Sequence, residues 1–211
     1  MAGVAETAGR ALGVPLGALA RWRRGKPMHP RGVVVDGVLE RGTGPAPFGV
    51  PWLDEQARDD VVVRLSRGAG LPEPLPDLLG LAVRIPDGPV DLLLTSAATG
   101  PVLRLLPRPW RDTATSYGSV MGYRSDAGTL RLAALPDDDG ARRFTLAAAR
   151  GQGPWRPFGR LTLGAPREPL DPDVRFDAVR NPPHGLVPDG PLARLRAPAY
   201  AAARQGRDAS S

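Results

Sequence analysis

The chain has no cysteine, only two histidines (His29 and His184) and 5% aromatic residues in 211 positions. Without cysteine there is no disulfide, thiolate nucleophile, zinc ribbon or iron–sulfur cluster. Two histidines exclude a multi-histidine metal site. The aromatics are too few and too dispersed to build stacking platforms for nucleic acid, so no nucleic-acid partner is expected. No apolar run approaches the ~18 residues of a membrane-spanning helix. Residues 1–20 are small and apolar but include Glu6 and Arg10, with no basic stretch ahead of an apolar core. A secretory signal is therefore not expected, and a cytoplasmic location is.

Gly (26) and Pro (25) together make about a quarter of the chain. That density argues against a long-helix bundle and for short elements joined by many turns. Hydrophobic residues at 42% and charged residues at 24% are those of a folded globular domain. The net charge is +6, and Lys26 is the one lysine among 28 basic residues. Arginine suits planar recognition of carboxylates and phosphates, although a GC-rich genome accounts for the same bias. The basic residues are mostly interleaved with acids, as in Arg58-Asp59-Asp60. Arg21-Trp22-Arg23-Arg24 is the one dense run and reads as a solvated helix end.

Ala8, Leu12, Leu16, Leu19 and Trp22 recur at near-helical spacing and predict a peripheral amphipathic helix over residues 5–24. Seven β-rich segments follow: 32–40, 60–66, 80–85, 90–95, 128–135, 144–149 and 159–163. They are bounded by Gly and Pro and predict an antiparallel sheet or barrel. Residues 102–115 and 186–207 read as helical or irregular. If 191–207 is one kinked helix, Arg196, Tyr200, Ala203 and Arg207 share a face. The expected organisation is an N-terminal extension (1–25), a main domain (26–207) and a short tail (208–211).

Four segments, in order, resemble the heme-dependent catalase family. Lys26-Pro27-Met28-His29-Pro30-Arg31-Gly32 resembles a segment that carries a histidine ahead of a strand. Val63-Arg64-Leu65-Ser66 resembles a Val-Arg-Phe-Ser strand. Residues 76–84 resemble an Arg-Asp-Pro-Arg-Gly-Phe-Ala-Val-Lys segment. Phe176-Asp177 through Arg196, Tyr200 and Arg207 is similar to the segment bearing the proximal tyrosine. The resemblance spans about residues 26–207. It implies an α+β fold: a catalase-like antiparallel β-barrel with flanking helices.

The same resemblance implies a b-type heme and a small-molecule peroxide as substrate. Tyr200 matches the axial iron ligand, since tyrosine is the heme ligand of catalases. Arg196 matches the guanidinium that stabilises its phenolate. Lys26, Arg64 and Arg207 match partners of the heme propionates. His29 matches the distal base and Ser66 the hydroxyl that orients it. The chain also departs from the family. An Asn-Asn-Thr-Pro segment is replaced by Asp91–Ala97, which offers the hydroxyls of Thr95 and Ser96 but no amide. Lys26 stands for an arginine, the distal phenylalanines are not evident around 102–106, and the chain is less than half the family's usual length.

Two alternatives stand beside a heme protein acting on hydrogen peroxide or an organic hydroperoxide. One is a non-catalytic catalase-like domain that has lost heme. The other is a hydrolase such as a phosphodiesterase, against which the lack of a carboxylate–histidine motif or phosphate loop argues. Assembly into oligomers is left open.

Overall fold

The computed structural model describes residues 29–119, 121–137 and 142–190. The expected N-terminal helix, Lys26, Arg196, Tyr200, Arg207 and the tail at 208–211 lie outside the described residues.

Ten strands form one antiparallel sheet: β1 (Arg31–Arg41), β2 (Ala57–Arg67), β3 (Leu79–Ile85), β4 (Val90–Ser96), β5 (Tyr117–Ser119), β6 (Gly122–Ser125), β7 (Gly128–Pro136), β8 (Arg143–Arg150), β9 (Arg156–Pro166) and β10 (Val187–Asp189). Pairing runs β7-β5-β4-β3-β2-β1-β9-β8 and returns from β8 to β7, so eight strands close a barrel. Closure removes the unpaired edges that an open sheet exposes. β6 continues the β5 side of β7, and β10 adds to β6 outside the ring.

All seven strands read from the sequence are present, most of them longer than their apolar stretches. Their alternation sets the barrel's inside. Val35, Val63, Val83 and Leu92 stand side by side across β1–β4 and are nearly solvent-free. Leu81 and Leu94 continue the inner face one step along. On the opposite side of the barrel Leu132, Ala134, Leu146 and Phe144 point inward. Phe144 meets Tyr117 edge-on at 5.8 Å, and Phe158 packs against Trp52 at 5.9 Å. Burial pushes the Tyr117 phenol well above its ordinary range, and it donates to Thr113 O at 2.9 Å.

The expected α+β class with flanking helices needs correction for the described part. Its helical structure is α1 (Pro51–Asp54) and a 3-10 turn at Leu103–Leu105. The long connections at 42–56, 97–116 and 167–186 are punctuated by Gly and Pro, which interrupts any longer apolar helical stripe. The 186–207 segment, read as helical or irregular, opens with β10. Among the described residues no helix is long and apolar enough to cross a membrane.

Candidate functional site

A strand's residues alternate between the two faces of the sheet, so the sequence that fills the barrel also builds its outer wall. Three outward rows cross β1–β4. The first is Gly32, Ser66, Gly80 and Thr95; the second is Val34, Arg64, Ala82 and Leu93; the third is Asp36, Val62, Arg84 and Asp91.

His29 lies over the first row. Its Nδ1 is 2.9 Å from Ser66 Oγ, either group donating according to the ring tautomer. The backbone at His29 is left-handed, with φ of 64°. That conformation is costly for a residue with a Cβ, and neighbouring contacts must hold it. The His29 N–H donates to Gly68 O at 3.1 Å, and Arg64 Nη2 donates to the His29 carbonyl at 3.2 Å. The ring needs a floor with no side chain. A Cβ on Gly80 would stand 2.8 Å from His29 Cε1 and 2.7 Å from Ser66 Oγ. The glycine follows from this close approach.

Arg64 is itself engaged. Its Nε and Nη2 donate to the two Asp171 carboxylate oxygens at 2.7 and 2.9 Å, and Asp171 also accepts the Gly32 N–H at 3.0 Å. Arg64 holds the Asp171 carboxyl below the usual aspartate range. Asp171 ends a strap whose backbone pairs with β1, by Val34 N to Leu170 O and Arg167 N to Val34 O at 2.7 and 2.8 Å.

The third row anchors another segment. Asp91 is fully buried and accepts from Arg84 Nε and Nη2, from the Asp177 N–H and from Asn181 Nδ2, all within 2.8 Å. Its own N–H donates to Asn181 O. Arg84 also lies over the Phe176 ring at 5.5 Å, and Asp91 holds its guanidinium above the ordinary arginine value. Residues 176–181 open the segment that runs toward Tyr200. They are thus tied to the wall that carries His29, about 13 Å along β3 from Gly80 to Arg84 at the usual strand rise. Reading the sequence left Arg84 without a role and missed both Asp91 and Asp171. Asp91 faces Arg84 in the β3–β4 register, across the hairpin connection Pro86–Pro89.

A cleft of about 690 Å³ opens beside Ser66, with Arg31, Gly32, Arg67, Arg111 and Thr113 in its lining. The Arg67 donors are spent on the carbonyls of Leu71, Leu75 and Arg111. The hydroxyls weighed as replacements for the family's asparagine are spent as well. Thr95 Oγ1 donates to Leu79 O at 3.1 Å, and Ser96 Oγ to Arg108 O at 2.6 Å.

No protein-family model and no curated protein matches the sequence. Solved structures do. A fungal catalase aligns with a TM-score of 0.56 at 13% identity, over 86% of this chain and 60% of that one. Catalase A from Saccharomyces cerevisiae aligns with a TM-score of 0.56 at 13% identity, over 89% of this chain and 63% of that one. The fold is therefore catalase-like, and the chain spans less than two thirds of either structure.

Proposed function

We propose that the protein is a catalase-like heme protein acting on hydrogen peroxide or an organic hydroperoxide at the outer wall of its barrel. The observation that carries this reading is His29, held in left-handed backbone over Gly80 with its ring tied to Ser66. A surface-loop histidine needs none of these constraints, whereas a general base gains from them the fixed ring orientation that proton transfer requires.

The residues fit a heme on the His29 side: a base of fixed orientation above a side-chain-free floor. The cation side fits differently, because Arg64 already carries the Asp171 carboxylate. In this reading Tyr200 would bind the iron, and the Arg196 guanidinium, four residues earlier in the chain, would favour its phenolate. Lys26 and Arg207 are partners for the propionates, a role the resemblance also gives Arg64. The heme supplies cleavage of the oxygen–oxygen bond. His29 takes the peroxide proton on Nε2 and returns it to the departing oxygen, while Ser66 holds Nδ1 so that the ring does not turn.

Reconstitution with hemin tests the reading. The wild type should show a Soret band, Tyr200→Phe should lose it, and His29→Ala should keep it with peroxide turnover reduced by ~10²–10⁴-fold. Heme content unchanged in Tyr200→Phe would remove the ligand assignment. A second reading, heme binding without turnover, is favoured by the commitment of Thr95 and Ser96 to backbone carbonyls. It predicts a Soret band in the wild type, no peroxide consumption and no effect of His29→Ala.

A further inference from the structure

We propose that Asp171 is a specificity-determining residue of the outer-wall site, which keeps Arg64 for the chain itself and disfavours a ligand carboxylate there. The inference rests on the heme reading above and adds a selectivity to it.

Both Asp171 oxygens lie on one edge of the guanidinium, and Arg64 Nη2 also serves the His29 carbonyl. The planar fork that would grip a carboxylate in two-point fashion is thus already filled. Asp171 is placed by its backbone surroundings, since the strap that bears it pairs with Val34 and its carboxylate receives the Gly32 N–H. The Arg64 and Asp171 side chains are 17% and 31% exposed, so the pair can be reached from solvent. Arg64 keeps the carboxylate ionised at neutral pH. A second carboxylate brought to Arg64 meets a cation already neutralised and a like charge beside it. A ligand with a neutral group at this place meets neither obstacle.

The test compares hemin, a dicarboxylate, with its uncharged dimethyl ester, each titrated into the full chain and followed by Soret absorbance. Asp171→Asn should tighten hemin about tenfold and leave the ester unchanged; tenfold corresponds to about 1.4 kcal/mol. Arg64→Gln in the Asp171→Asn background should erase the gain, because it removes the guanidinium that the first change set free. Circular dichroism establishes that each variant keeps the native barrel. Should Asp171→Asn fail to fold, Asp171→Ser takes its place, since it removes the same charge: hemin bound no more tightly than by the wild type, with the ester unchanged, overturns the proposal. Hemin affinity unchanged or weakened in a folded Asp171→Asn protein overturns it too. Uptake of neither porphyrin by the wild type is a different result, which removes the heme reading and this inference with it.

Discussion

Gly80 decides whether His29 can hold its place. An alanine methyl there would fall within 3.0 Å of Ser66 Oγ and of two His29 ring atoms, while backbone bonds hold the histidine from both sides. Gly80→Ala should therefore push the imidazole off Ser66. The cost in stability should be about 1–3 kcal/mol, as for other overpacked sites, and peroxide turnover should fall toward the level of His29→Ala. The ring nitrogen NMR shifts of His29 check this directly, because an unchanged Nδ1 signal would mean that the ring had not moved. Asp171 gives a pH dependence of definite sign. Its native pKa lies below the unfolded value of about 3.9. The stabilisation it brings is thus complete above that value and lost as pH falls through the lower native one. Urea unfolding followed from pH 6 downward should show this acid loss in the wild type and a shallower one in Asp171→Asn.

Among the elements, β3 and β4 act as the anchor for the chain that leaves the barrel. Asp91 is solvent-free and meets four donors, so its removal strands the Arg84 guanidinium and the Asn181 amide together. Asp91→Ala should cost roughly 3–5 kcal/mol, the usual penalty for breaking a buried ion pair. The midpoint of urea unfolding should fall accordingly. The Arg84→Met, Asp91→Leu double variant should recover part of the loss, because it leaves no charge unpaired. If the double variant is as unstable as the sum of its singles, the two residues do not act as a pair. Limited proteolysis offers a second view, since cleavage within 176–181 should appear in Asp91→Ala before any in the barrel strands.

At the scale of the whole molecule the barrel is one cooperative unit. β1 pairs with β2 along its full length and with β9 on its other side, and β7–β8 completes the ring. No strand of the ring can leave without opening edges on two neighbours. Heat or urea should therefore give one transition with coincident fluorescence and dichroism signals. Amide exchange should be slowest at Val35, Val63, Val83 and Leu92, the row that crosses β1–β4. A separate early transition in either probe would mean that the ring is not the folding unit.

What the sequence determined by itself is the seven longer strands and the choice of an antiparallel sheet or barrel, because β-branched runs between Gly and Pro are local signals. The short β5, β6 and β10 escaped it, since three or four residues carry too little periodicity to be read. His29 and Ser66 were legible as a pair only through the resemblance of their segments to the heme-dependent catalases; alone, each is an ordinary loop histidine and an ordinary strand serine. Tertiary structure alone decided the rest. The β1–β2–β3 register set Ser66 between Gly32 and Gly80, the β3–β4 register set Arg84 against Asp91, and the strap after β9 brought Asp171 onto Arg64. These partners are 7 to 107 residues apart in the chain. Their meeting depends on strand register and barrel closure, which arise from the packing of the inner face and leave no mark in the residues next to them.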